Sequence, residues 1–184
     1  DVHGVIAAVR GWMQNSGAAP YQEATHTGLL RHVVVRTSRS GAVMVLLAAT
    51  SAALPDIDGL IRRLQKNVDG FTSLHVSVNR MHNNVILGNT SQKLYGDDTI
   101  VETLLGLTFE IAPLSFFQVN PAQTERLYEQ VLAFAALSPA DTVVDAYAGA
   151  GTISLCMAQR CRRVIGLEIV PQAVCAQELL FGVV

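Results

Sequence analysis

The residues of this chain with the clearest potential for chemistry lie in and after a glycine turn. Asp145 ends an apolar run, Tyr147 follows it, and Gly149 and Gly151 stand two positions apart. Glycines there let the backbone turn sharply and approach a ligand without an intervening Cβ. Glu168 ends the next apolar run, 19 residues after Gly149, close to the spacing at which a carboxylate reaches ribose hydroxyls. The pattern predicts the front half of a nucleotide-cofactor site.

The number of glycines narrows the type of cofactor. The turn has the first two glycines of the dinucleotide fingerprint G-x-G-x-x-G but lacks the third. Recognition of a pyrophosphate is therefore less well supported than recognition of S-adenosylmethionine, which has no phosphate to hold. A nicotinamide-dependent oxidoreductase stays open as an alternative, and so does an ordinary β–α crossover whose glycine turn binds nothing.

The elements that must position this turn follow from the hydrophobic pattern. Strands at 142–146 and 163–168 alternate with helices at 152–159 and 171–180, an order typical of a right-handed parallel β-α-β-α unit. Asn120 as a cap and Pro121 in the first turn predict the helix before this unit. The expected fold class is α/β, with an incomplete Rossmann-like domain over 113–184.

The preceding 112 residues have a different texture. We expect helices over 5–15 and from 57 onward, and strands over the following ranges: 30–37, 42–49, 73–78, 85–87 and a pair within 103–111. Turn signals separate most of these strands, as in hairpins. The pattern predicts a small α+β domain over 1–112 with a largely antiparallel sheet.

Bulk composition excludes several classes of protein. Of 184 residues, 50% are apolar and 15% are charged, so the chain can bury a core. No apolar run is long enough for a membrane helix, and the Asp1 start suggests a piece of a longer protein. Cys156, Cys161 and Cys175 have neither disulfide nor zinc spacing, which favours a reducing cytoplasm and no metal.

Two further groups of residues are candidates for ligand contacts. Gln118 follows two aromatic residues and has no evident local role, unlike Asn120, whose simplest role is the helix cap. A basic cluster contains Arg31, Arg36 and Arg39, although a solvated strand face would have the same composition. The net charge of −2 does not by itself indicate nucleic-acid binding.

Five stretches together resemble one family, the S-adenosylmethionine-dependent uracil-5-methyltransferases of tRNA and ribosomal RNA. The matching stretches are His26–Arg36, Asn84–Gly88, Ser115–Pro121, Asp145–Thr152 and Val164–Val170. The resemblance covers the chain up to about residue 176, and its Phe-Phe-Gln-Val-Asn segment before the glycine turn is specific. It implies an S-adenosylmethionine cofactor and an RNA substrate, either tRNA or ribosomal RNA.

The resemblance also implies roles for individual residues. Gln118, Tyr147 and Thr152 match positions that contact the cofactor in the family, and Glu168 matches the carboxylate that holds the ribose hydroxyls. The segment before about residue 110 matches a domain that helps to hold RNA, so the cluster of Arg31, Arg36 and Arg39 is expected to contact phosphate.

The family's reaction needs groups that this sequence lacks. A cysteine thiolate adds to C6 of uracil, and a general base then removes the proton from C5. In the family, both lie beyond the second β–α unit, after an Asp-Pro-Pro-Arg-like motif that does not occur here. We therefore predict no catalytic residue in this chain and expect it to be inactive and to self-associate when alone. The alternative function is a non-catalytic RNA-binding module with a degenerate nucleotide fold.

Overall fold

A computed structural model of the chain describes residues 2–169, which belong to two compact units. The first unit contains the chain up to Glu102 together with Glu110–Leu114, and the second contains Thr103–Phe109 and the chain from Ser115 onward. The predicted boundary at residue 112 lies within Glu110–Leu114, which belongs to the first unit. The assignment of the two domains stays a prediction.

The first unit is built on a four-stranded sheet. In chain order its elements are α1 (Val2–Ser16), β1 (Leu30–Thr37), β2 (Val43–Ala49), α2 (Ile57–Asn67), β3 (Phe71–Val78) and β4 (Gln92–Gly96). The strands lie in the order β1-β2-β3-β4. β1–β2 and β3–β4 are antiparallel, whereas β2–β3 is parallel because α2 provides the crossover between them. Two of the three strand pairs are thus antiparallel, as the turn signals predicted, and the parallel β2–β3 pair makes the sheet mixed.

The core of the first unit contains side chains from both helices and from the central strands. Every residue of β2 is buried, so this strand lacks the alternation of a sheet with one solvated face. Trp12 is fully buried, and its indole Nε1 donates a hydrogen bond to the carbonyl of Pro55 at 2.8 Å. The cap of α2 follows at once, where Asp56 Oδ1 accepts a hydrogen bond from the N–H of Gly59 at 3.2 Å.

The prediction of a strand at 85–87 in the first unit is wrong. The run at 85–87 is part of an irregular loop, because polar side chains from the interior hold its backbone in place of a neighbouring strand. Asn79 Nδ2 donates to the carbonyl of Val85 at 2.6 Å, and Asn79 Oδ1 accepts from the N–H of Met81 at 2.9 Å. On the side of β3 away from β2, the pairing strand is β4, a short and mostly exposed strand without an alternating hydrophobic pattern.

The second unit contains the predicted parallel motif. Its elements are α3 (Pro121–Ala135), β7 (Thr142–Asp145), α4 (Thr152–Ala158) and β8 (Arg163–Gly166). β7 and β8 pair in parallel with Asp145 opposite Gly166, and α4 provides the crossover. The hairpin of β5 (Ile100–Leu104) and β6 (Leu107–Ile111) has residues in each of the two units. The predicted helix at 171–180 lies outside the described residues.

A small core joins the helices of the second unit. It contains Leu104, Phe109, Tyr128, Leu132 and Cys156. Asn120 caps α3 as the sequence predicted, because its Oδ1 accepts from the N–H of Gln123 at 3.1 Å. Within residues 2–169, no helix has both the length and the apolar character needed to cross a bilayer.

Candidate functional site

The turn after β7 is fixed by backbone hydrogen bonds to the end of β8. The N–H of Ala148 donates to the carbonyl of Leu167 at 3.0 Å, and the N–H of Leu167 donates to the carbonyl of Asp145 at 2.8 Å. A tight bond from the N–H of Gly151 to the carbonyl of Ala148, at 2.7 Å, then leads into α4. The carboxyl ends of the two parallel strands therefore meet at this turn, where ligands bind in open α/β sheets.

The two glycines of the turn are required by the backbone. Gly149 has a φ of +55° and Gly151 a φ of +75°, in the left-handed region that side chains with a Cβ disfavour. A Cβ placed on Gly149 would meet no atom within 4 Å, so this side of the turn faces open space. The geometry gives a ligand direct access to the backbone of the turn.

Asp145 holds the turn together from within. Its Oδ2 accepts a hydrogen bond from Ser154 Oγ at 2.6 Å, and its Oδ1 accepts from the N–H of Tyr147 at 3.3 Å. Both carboxylate oxygens are thus engaged by the start of α4 and by the turn itself. Asp145 therefore positions the start of α4 through Ser154, a residue that no sequence pattern singled out, and its contact with a cofactor stays a prediction.

Glu168 lies against the glycine turn, as the sequence spacing required. Its Oε2 accepts a hydrogen bond from the N–H of Gly149 at 2.8 Å, and the residue is half-buried. A charged acceptor on a backbone N–H forms one of the stronger hydrogen bonds in proteins. The carboxylate is therefore held at the mouth of the turn, beside the open face of Gly149.

Thr152 begins α4 and is tied to α3. Its Oγ1 shares a hydrogen bond with the hydroxyl of Tyr128 at 2.7 Å. Burial raises the pKa of the Tyr128 hydroxyl, so this group stays protonated at neutral pH and can keep the bond. The threonine is anchored at the first turn of the helix, next to the glycines.

Tyr147 and Gln118 are exposed, whereas Thr152 and Glu168 are half-buried. Tyr147 is 92% exposed at the tip of the turn, and Gln118 is exposed in the segment between β6 and α3. Neither side chain belongs to the core of the second unit. Both are accessible to a ligand, and their contact with a cofactor stays a prediction.

Cys156 is a packing residue of this unit. It is buried, and burial raises the pKa of its thiol, which keeps it protonated and unreactive at neutral pH. Within residues 2–169, no group of three or more His, Cys, Asp and Glu side chains could hold a metal ion.

Arg31 lies in the interior of the first unit, and its contact with phosphate stays a prediction. Its side chain is only 1% exposed, and Nη1 donates to the carbonyls of Asn79 at 3.2 Å and Met81 at 2.8 Å. The guanidinium carbon also lies 4.6 Å from the ring centroid of Tyr21, and Nη2 of Arg31 lies 3.6 Å from Oε1 of Glu23. The guanidinium faces the interior, and its hydrogen bonds hold the backbone of residues 79–83.

The other two arginines of the cluster differ from Arg31. Arg36 is half-buried on β1, and burial lowers the pKa of its guanidinium. Arg39 is exposed after β1, and its backbone N–H donates to Glu102 Oε2 at 3.2 Å. Their contact with RNA stays a prediction.

We predict that Arg31→Met lowers the free energy of unfolding of the first unit by about 3 kcal/mol, since hydrogen bonds from a charged group contribute about 1.5–3 kcal/mol each. Arg31→Lys should recover only part of the loss, because an ammonium cannot reproduce the planar fork. Urea denaturation followed by circular dichroism measures the change. Exposed Arg62 on α2 gives the control, and an Arg62→Met effect as large as that of Arg31→Met would contradict the prediction.

A parallel β–α–β unit with a glycine turn and an acidic residue after the second strand defines a Rossmann-like nucleotide-binding fold of the methyltransferase type. The same fold is found in the crystal structure of the Pyrococcus abyssi tRNA (uracil-54, C5)-methyltransferase in complex with S-adenosyl-L-homocysteine. That structure aligns with 96% of this chain and 42% of its own, at a TM-score of 0.78 and 26% identity.

Bacterial relatives show the same similarity in sequence. An uncharacterized RNA methyltransferase of Staphylococcus epidermidis is 40% identical over 92% of this chain, and one of Halalkalibacterium halodurans is 42% identical over 92%. The chain spans 38% and 37% of these two relatives, respectively. No family model matches the sequence. The chain is therefore similar to part of the RNA methyltransferases, in both sequence and fold.

Proposed function

We propose that this chain is the cofactor-binding part of an S-adenosylmethionine-dependent RNA methyltransferase that acts on C5 of uridine in tRNA or ribosomal RNA. The observation that carries the proposal is the hydrogen bond from the Gly149 N–H to Glu168, which joins the glycine turn to the carboxylate after β8. The similarity to the tRNA (uracil-54, C5)-methyltransferase structure supports the choice of reaction.

The residues of the turn fit S-adenosylmethionine. Glu168 would accept hydrogen bonds from the ribose hydroxyls, and the open face of Gly149 lets the nucleoside approach the backbone. Exposed Gln118 and Tyr147 would contact the cofactor from outside the turn, and Thr152 from the start of α4. The cofactor would supply a methyl group on a sulfonium, which is an electrophile.

Asp145 and Gly151 are also proposed cofactor-binding residues, and both fix the shape of the turn. Asp145 keeps the start of α4 against the turn through Ser154, and Gly151 adopts the left-handed conformation that begins the helix. We assign binding and positioning to the residues of this sequence and no bond-making step. Arg36 and Arg39 are proposed phosphate contacts of the first unit.

The proposal is tested by nucleoside analysis of RNA. Mass spectrometry of digested tRNA and ribosomal RNA should show less 5-methyluridine in cells that lack the gene containing this sequence. The wild-type gene should restore it, and a gene with Glu168→Ala should not. Unchanged 5-methyluridine in both RNA pools would overturn the proposed reaction, and a change in another methylated nucleoside would reassign the target atom.

Two further expectations stay predictions. Val144 and Leu167 are exposed in and after the two-strand sheet, which is compatible with self-association of the isolated chain. A monodisperse monomer in light scattering at high concentration would contradict it. A cytoplasmic location is the second expectation.

A further inference from the structure

Two histidines from distant parts of the first unit form an exposed stack. The rings of His26 and His82 are parallel within 3°, with centroids 3.9 Å apart. Both residues are exposed, and neither belongs to the buried core of the unit. The stack therefore presents flat aromatic surface to the solvent and has no role in core packing.

Two buried side chains, Arg31 and Asn79, hold the backbone of the loop that carries His82. Arg31 donates to the carbonyls of Met81 and Asn83 on both sides of His82, at 2.8 and 3.4 Å. Asn79 adds bonds to the same loop through both atoms of its side-chain amide. A buried cation and a buried amide are thus used to fix an exposed loop, which reduces the entropy that the loop would lose on binding a ligand.

The loop that carries His26 is fixed as well. His26 adopts the left-handed conformation with a φ of +53°, and its Nδ1 shares a hydrogen bond with the hydroxyl of Tyr21 at 3.1 Å. The backbone of Gln22 pairs with that of Thr27 across this turn. A non-glycine residue in the left-handed region costs conformational energy, which the surrounding contacts must offset.

The surroundings of the stack favour a polyanion with flat bases. The loops 20–30 and 79–88 contain a single carboxylate, Glu23, and it lies 3.6 Å from the Arg31 guanidinium. Arg80 adds an exposed cation next to the stack in sequence, with its Nε fixed on the carbonyl of Thr50 at 3.0 Å. Apolar surface is exposed nearby in the loop at Met81, Val85 and Ile86. Unpaired bases bind such combinations of aromatic face, apolar surface and positive charge.

We propose that His26 and His82 form a stacking platform for an unpaired nucleobase of the RNA, with Arg80 beside it as a phosphate contact. The inference rests on the proposed RNA substrate. It adds a binding site in the first unit, remote in sequence from the glycine turn after β7. Arg31 and Asn79 are positioning residues for this platform, because they act on the loop and not on the ligand.

The test uses the full protein and a short single-stranded RNA labelled with fluorescein, with binding followed by anisotropy. His82→Ala should weaken binding about tenfold, since stacking on one aromatic side chain accounts for about 1–3 kcal/mol per base and 1.4 kcal/mol is a factor of ten. His82→Phe should bind like the wild type, because it keeps an aromatic face. Asn84→Ala, an exposed change in the same loop, is the matched control and should have no effect.

Two further measurements separate stacking from folding and from charge. An RNA with 2-aminopurine in place of an unpaired base should lose fluorescence on binding to the wild type and to His82→Phe, but not to His82→Ala. Heparin, a polyanion without bases, should bind all variants equally.

Equal RNA affinity of the wild type and His82→Ala would overturn the platform and leave the proposed methylation intact. A wild-type protein that neither binds nor methylates RNA would overturn both. Unchanged hydrogen exchange of the amides of β2 and β3 in His82→Ala shows that the first unit of the variant is folded.

Discussion

Replacing Glu168 by alanine is expected to weaken the binding of S-adenosylhomocysteine by about 100-fold. The carboxylate accepts a hydrogen bond from the N–H of Gly149 and is the proposed acceptor for the ribose hydroxyls. Hydrogen bonds to a charged group contribute about 1.5–3 kcal/mol each. The loss of one or two of them, at 1.4 kcal/mol per factor of ten, gives the expected magnitude. Calorimetric titration measures the affinity directly.

Two control variants make this result specific to the carboxylate. Glu168→Gln keeps the size of the side chain and one acceptor oxygen but removes the charge, so its affinity should fall between those of wild type and Glu168→Ala. Glu129 is an exposed carboxylate on α3 of the same unit, and Glu129→Ala should bind like the wild type. Wild-type affinity of Glu168→Ala would exclude Glu168 from the cofactor site and would remove the main support for the proposed function.

The glycine turn after β7 could be predicted from the sequence because its signals are local. Left-handed backbone at Gly149 and Gly151 needs glycine, and the alternation of apolar runs with one short helix defines the parallel unit. Since the ends of adjacent parallel strands meet at one edge of a sheet, the position of Glu168 after β8 was sufficient to place it at the turn. None of these inferences required knowledge of a distant contact.

The supporting contacts could not be predicted because they join residues that are distant in sequence or ordinary in type. Tyr128 reaches Thr152 from another helix, 24 residues away, and Arg31 reaches the carbonyl of Met81 from 50 residues away. An arginine in a basic cluster looks the same in sequence whether its guanidinium faces solvent or loop carbonyls. The short edge strand β4 could not be predicted for a related reason, because it is mostly exposed, has no alternating hydrophobic pattern and pairs with β3 through its backbone.

Trp12 is the side chain whose loss should destabilise the first unit most. It is fully buried on α1 within the core formed by both helices and the sheet. Trp12→Ala is expected to lower the free energy of unfolding by about 3–5 kcal/mol, because a large buried aromatic group leaves a cavity that the surroundings fill only in part. The change also leaves the carbonyl of Pro55 without the indole N–H that it accepts at 2.8 Å.

The contributions of packing and hydrogen bonding to this loss can be separated. Trp12→Phe keeps an aromatic ring in the core but removes the indole N–H, so its cost should be smaller, at about 1–3 kcal/mol for an unsatisfied buried acceptor and a reduced volume. Ile6 lies on the exposed face of the same helix, and Ile6→Ala should cost less than about 1 kcal/mol. Hydrogen exchange of the amides of β2 and β3 reports on the first unit specifically, because these central strands open only when the core does. If Trp12→Ala exchanged these amides no faster than Ile6→Ala, the core would depend on contacts other than those of the indole.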